Sequence, residues 1–413
     1  MEPNGLGVAR ALARHHIPVI GLAGPSWTPS CATKTCTEIV YNRSWTPEGI
    51  LEDLRSIARR LDRKSPLIIT KDEPVLWISE ARTELEDSFE LNLPEHDVVQ
   101  LLMNKTRFHE LCLAKGWPVP RTWKAKSKDE LASVLKEIDY PCILKPQVKN
   151  RTFRRFSARK AFVVPDEREL LSTYAMVAQW EPEVVVQEWI PGGDGSISFC
   201  LSYHDRQGKP AAHFAGRKLR QWPIRCGNTA IAEPAPEEWV DPIVAVTQTI
   251  WDDVGFRGIG SIEYKMTPGT LRPVIMEPTV GRTNYQNEVA VLNGVNIPAI
   301  AYCDLTGKSY VATAPPSRPV RLVDGGAELK AALIYWRMGE LGLTQWLAER
   351  SGNKKYMMLR VGDLGPFLVS MGVKIKRSMR LLLKVVLVYP VLAACSRSLR
   401  RRGSTAEDQG CVP

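Results

Sequence analysis

The chain has 413 residues, 44% hydrophobic and 24% charged, which is enough apolar material for two or three packed domains and excludes general disorder. Its net charge is +10, but residues 374–402 carry nine lysines and arginines and no acid, so the surplus lies in the tail and gives no reason to expect a nucleic-acid partner for the body. The nine cysteines form no CxxC pair and have no histidine at zinc-ligand spacing, and no basic region followed by an apolar run opens the sequence; these features point to reduced thiols and a cytoplasmic protein.

The opening "MEPNGLGVARALARHHIPVIGLAG" reads as turn, helix and strand. A strand is expected before the Asn4-Gly5 turn and is not in this sequence: either the domain begins unusually or the sequence starts one strand late. Helical "PEGILEDLRSIARRLDR" then leads into the strand "SPLIIT", so residues 1–98 form an alternating α/β unit. In "EHDVVQLLMNKTRFHELCLAKGWPVPRTW" one helix carries Leu101, Leu102, Phe108, Leu111 and Cys112 on a single face and ends at Gly116. A Ser127-capped helix precedes the strand "YPCILKPQ", and "RTFRRFSARKAFVV" reads as a basic hairpin. The strand of "EVVVQEWIPGGDGSISFCLSY" runs through a glycine turn into another strand, and a hairpin turns at Pro268-Gly269. From about residue 327 the pattern is helical.

Several polar residues interrupt these apolar strands. Lys145 in "CILKP" is either a strand-end lysine reaching for water or a phosphate ligand, and Lys105 at a helix start has the same two readings. Gln187, Glu188, Trp189 and Ile190 offer backbone groups and apolar faces to a planar base, with Asp194 at reach for a ribose hydroxyl; the alternative is a plain β-hairpin. Glu263 and Glu277 occupy facing positions of the last hairpin, where two carboxylates repel unless a cation or arginines lie between them. Hard divalent ions such as Mg²⁺ take carboxylates and phosphates together. Walker-type and kinase motifs are absent from the sequence.

Taken in order, lysine, lysine, hinge, basic strand and two acids, residues 1 to about 310 resemble the ATP-grasp superfamily, of the carboxylate–amine ligase type. The resemblance implies an α/β (α+β) ATP-grasp fold: a Rossmann-like domain over 1–98, the nucleotide-binding and catalytic region over 99–315, and a helical C-terminal extension over 316–413. It implies ATP with Mg²⁺ or Mn²⁺ as cofactors, a small carboxylate and an amine as substrates, and a homodimer as one expected assembly. By the same resemblance Lys105 and Lys145 meet nucleotide phosphates, residues 187–190 and Asp194 hold base and ribose, and Lys218 and Arg220 meet phosphate or the acyl phosphate. Glu263 and Glu277 hold the metal, Thr279 stands where many members have a ligand Asn, and "KNRTFRRFSARK" lacks the family's usual loop glycines. Arg282 is the expected grip on a carboxylate or phosphate, and Asn284 is expected to orient the amine. A catalytically inactive, membrane-peripheral nucleotide-binding scaffold is the alternative. For residues 374–402 an interfacial helix on anionic lipid stands against a packed helix with a solvated basic end.

Overall fold

The computed structural model describes residues 1–146, 161–225, 227–267 and 269–383; the expected basic hairpin falls mostly in 147–160, and the apolar tail stretch falls almost wholly in 384–413, both outside these limits. The first helix, Pro3–Ala13, begins with proline, whose missing N–H costs nothing at a helix start. It lies beside two separate parallel pairs of strands: β1 (Ile20–Ala23) with β2 (Glu38–Tyr41), and β3 (Ser65–Leu67) with β4 (Phe89–Leu91). Asn4 at its start donates 2.8 Å hydrogen bonds to the carbonyls of Thr70 and Thr283, tying the N-terminal unit to the chain beyond the catalytic hairpin.

The single helix expected around residues 96–116 is two helices, His96–Met103 and Lys105–Lys115. The break is chemical: the Asn104 side chain accepts from the backbone N–H groups of Thr106 and Arg107, a capping geometry that cannot continue a helix through Asn104. Lys105 thereby becomes the first residue of a helix and projects at its start. That helix ends where the sequence indicates, with Gly116 at φ 67°.

A small antiparallel sheet follows, made of β5 (Thr122–Ala125), β6 (Cys142–Pro146), β7 (Phe162–Val164) and β8 (Val184–Glu188) in the order β5-β8-β6-β7. Its core of Leu131, Leu144, Leu170 and Val186 packs under the helices Lys128–Val134 and Glu167–Val177, each capped by the expected kind of residue, Ser127 and Asp166.

The large sheet holds β9 (Ile197–His204), β10 (Pro210–Trp222), β11 (Asn228–Pro234), β12 (Gly258–Met266), β13 (Pro273–Val280), β14 (Arg321–Val323) and β15 (Lys354–Tyr356). Their order is β13-β12-β9-β10-β11-β14-β15. β8 and β9 therefore belong to different sheets, so "QEWIPGGDGS" is a crossing between sheets and the plain hairpin alternative does not hold. The helix Glu237–Asp253 buries Ile250 and Trp251 against one face, and Asn287–Leu292 with Ile297–Thr306 cover the other. The C-terminal region is not purely helical. Beside the helices Gly325–Arg337, Leu343–Arg350 and Gly365–Leu383 it supplies β14 and β15 to the large sheet. Neither short strand was legible in the sequence, because three residues carry too little periodicity.

Candidate functional site

The hairpin β12–β13 builds the site's floor. Along β12, Ile262, Tyr264 and Met266 turn into the core, so the strand's period of two sends Ser261, Glu263 and Lys265 to the opposite face. The register sets Glu263 opposite Glu277 and Ser261 opposite Thr279. A bulge between Glu263 and Tyr264 leaves Met276 without a cross-strand partner, which aligns the two acids as a facing pair.

Two lysines compensate that acid pair. Lys218 on β10, almost completely buried, places Nζ 2.6 Å from a Glu263 carboxylate oxygen and 3.3 Å from Gln221 Oε1. Lys105 places its Nζ 3.0 Å from Glu277 Oε2. Burial in the cleft acts to raise the Glu277 carboxyl, but Lys105, Lys218 and Arg282 outweigh it and hold the group below its ordinary value. Asn284 donates to Ser261 Oγ at 2.8 Å, fixing the loop after β13 against the same face.

Arg282 is held by a partner that sequence reasoning missed. Its Nε and Nη2 donate to the two oxygens of Asp72 at 2.5 and 3.0 Å, a bidentate fork. Asp72 opens the helix Asp72–Glu80, more than two hundred residues away in sequence, so no local signal marks it. Its carboxylate fills the guanidinium fork of Arg282.

On the other wall, Lys145 of β6 donates to Gln187 Oε1 at 3.1 Å, and Gln187 Nε2 donates to Thr122 Oγ at 3.2 Å. Ile190 is buried. Glu188 accepts from the Arg121 backbone N–H at 3.0 Å, which ties the end of β8 to the residue before β5. Lys265 lies with Nζ 4.6 Å from the Trp189 ring centroid, and burial lowers its ammonium to about 8 against the opposing pull of Asp194. Lys265 follows Glu263 by one strand period, a signal the sequence offered.

Two further expected site residues already have protein partners. Asp194 is buried and already accepts from Gln221 N at 2.9 Å, Gln221 Nε2 at 3.0 Å, Arg225 N at 3.2 Å and the Tyr335 hydroxyl at 2.9 Å. Burial, then the charge of Asp194, push Tyr335 up, so its hydroxyl stays protonated and donates. Asp194 thus ties β10 to the helix Gly325–Arg337 while also lining the cavity beside it. Arg220 likewise is paired with acids while lining that cavity. It is buried against Glu328 at 2.8 Å and against Glu349, because β10 lies beneath the C-terminal helices. A cavity of about 690 Å³ remains beside this network, lined by Trp189, Asp194, Arg220, Gln221, Lys265 and Tyr335, with Leu341 and Glu349 closing it from the C-terminal region.

The residues present fit Mg²⁺ with nucleotide phosphates. The acid pair already draws two ammonium groups to within 3.0 Å, and Thr279 shares its face. Among the described residues no grouping of three or more His, Cys, Asp or Glu forms a metal site made by protein alone, so a metal here would rely on the two acids together with substrate phosphates.

No family model matches the chain. It is 23% identical over 291 residues to the D-aspartate ligase of Enterococcus faecium, covering 67% of this chain and 68% of that protein. Its fold matches the biotin carboxylase–β-γ-ATP complex of Campylobacter jejuni with a TM-score of 0.58 at 16% identity, over 75% and 70% of the two chains. It also matches the biotin carboxylase domain dimer of the Hydrogenobacter thermophilus 2-oxoglutarate carboxylase, solved with MgADP and bicarbonate. There the TM-score is 0.55 at 16% identity, over 76% and 69%. Two sheets meeting at a hinge, with facing acids on the terminal hairpin of the larger one, define an ATP-grasp protein. The chain has the ATP-grasp fold and is similar to the carboxylate–amine ligases of that superfamily. Its activity class is ATP-dependent joining of a carboxylate to an amine, and the inactive scaffold is not favoured.

Proposed function

We propose that the chain uses Mg-ATP to activate the carboxylate of a small amino-acid-like acid and joins it to an amine, with the chemistry centred on the β12–β13 hairpin. The observation that carries this reading is the facing pair Glu263 and Glu277, each met by a lysine ammonium. Glu263, Glu277 and Thr279 would hold Mg²⁺, which supplies charge neutralisation to the phosphoryl group in transfer. Lys105, Lys145 and Lys218 bind phosphate oxygens by exchanging their present acceptors for the nucleotide's. A substrate carboxylate oxygen attacks the γ-phosphorus, ADP leaves, and the resulting acyl phosphate is attacked by the amine nitrogen, which loses a proton as inorganic phosphate departs. Arg282 receives the acid's carboxylate or the transferred phosphate by displacing Asp72 from its fork, and Asn284 orients the amine. The amino-acid character of the acid is taken from the name of the D-aspartate ligase alone.

The test is phosphate release from ATP across pairs of D- and L-amino acids and simple amines, with Glu277→Gln as the blank. Release that requires both partners and vanishes in the variant is the expected result; release with neither, or none with any pair, sinks the assignment. Mn²⁺ in place of Mg²⁺, a homodimer, and contact of residues 374–402 with anionic lipid are further parts of the proposal. They are tested by metal exchange, light scattering and co-sedimentation with phosphatidylserine vesicles. No described helix is long and apolar enough to cross a membrane.

A further inference from the structure

A buried ammonium needs an acceptor, because taking it out of water is costly. Arg10, Lys218, Arg220 and Lys265 are each more than nine-tenths buried. The first three each meet a carboxylate, that of Asp363, Glu263 and Glu328 in turn. Lys265 meets none. Its Nζ lies 4.6 Å from the Trp189 ring centroid, and among the described residues no side chain or carbonyl accepts a hydrogen bond from it. Asp194, the acid whose charge acts on it, already accepts from Gln221, Arg225 and Tyr335. What Lys265 does border is the cavity of about 690 Å³.

Apolar Ile197, Leu219 and Leu341 share that cavity wall, so the acceptor for the ammonium comes with a ligand rather than from the protein. Its position says which part of the ligand. Glu263, one strand period or about 7 Å back along β12, belongs to the acid pair that gathers metal and phosphates in the proposed site. Trp189, on the other side, belongs to the hinge that offers its backbone groups to the base. The part of a nucleotide that spans the gap between phosphates and base is the sugar. Resting on the Mg-ATP reading above, we infer that the acceptor for Lys265 is a ribose hydroxyl oxygen, and that Lys265 makes the site select ribonucleotides over deoxyribonucleotides. Where a deoxynucleotide puts a C–H, the ammonium stays buried and unpaired, and binding bears that penalty. Burial brings the lysine's pKa to about 8, so at pH 7 it carries the proton that it donates.

The test is titration calorimetry of the full chain at pH 7 with the Mg²⁺ complexes of ATP, 2′-deoxy-ATP and 3′-deoxy-ATP, in the absence of acid and amine, for the parent and Lys265→Met. The expected result is that the parent binds ATP about tenfold more tightly than at least one deoxy form. In Lys265→Met that preference should shrink to within about twofold, with binding of the disfavoured deoxy form kept and Tm unchanged or raised. A lysine with a purely structural role would change all three affinities by the same factor. Equal affinities for the three nucleotides in the parent, a preference that persists in Lys265→Met, or an equal loss with all three overturns the inference and leaves the ligase reading standing. A parent that binds none of the three overturns both.

Discussion

Replacing Glu328 by glutamine separates a structural from a catalytic role for Arg220. Glu328 has no exposed side-chain surface and Arg220 has 3%, and the same carboxylate also accepts from Trp346 Nε1 at 2.8 Å and Arg350 Nη1 at 3.1 Å. Removing one partner of a buried ion pair costs about 3–5 kcal/mol, because the remaining charge stays desolvated. Glu349 remains on the other arm of the guanidinium, so the loss falls at the lower end, near 3 kcal/mol. That corresponds to a fall in Tm of roughly 6–12 °C, read by near-UV circular dichroism. The ligase rate of the folded variant should stay within about threefold of the parent at 20 °C. The double substitution Arg220→Met with Glu328→Leu should recover most of the lost stability, since an apolar pair needs no compensation. A loss under about 0.5 kcal/mol, the level of a surface pair, would refute the burial argument. A hundredfold fall in rate at unchanged Tm would instead return Arg220 to the phosphate site.

Glu277→Gln should lower ATP-dependent phosphate release by about a hundredfold or more while leaving Tm within a degree or two, because its side chain is half exposed; a large loss of stability with activity retained would contradict this. Asp72→Asn should lower the KM for the acid several-fold with little change in kcat, because the acid then displaces an uncharged group from the Arg282 fork; steady-state kinetics with the acid varied reads this, and an unchanged or raised KM would contradict it. Lys265 carries a pH signature. Its folded value, about 8, lies below its unfolded 10.5, so the cost of burying the ammonium is fully present below pH 8 and is relieved as pH rises toward 10.5. Relative to Lys265→Met, the parent should therefore gain up to about 3 kcal/mol of stability across that window, seen in urea unfolding at a series of pH values; parallel curves would show that the lysine is not desolvated.

The sequence by itself determined the order of elements and the chemical types at the site. The alternation around Glu263 and Glu277, the apolar strand ahead of Lys145 and the caps at Ser127 and Gly116 are local signals, set by side-chain period and backbone preference, and they survive folding. What only the tertiary structure decided is which charge meets which. Arg282 could have faced substrate alone, but Asp72 arrives from the N-terminal unit to hold it. Arg220 and Asp194 meet Glu328, Glu349 and Tyr335, all brought by the C-terminal helices. A charged side chain's partner is fixed by long-range packing and by the cost of burying an unpaired ion, and neither leaves a local mark in the chain.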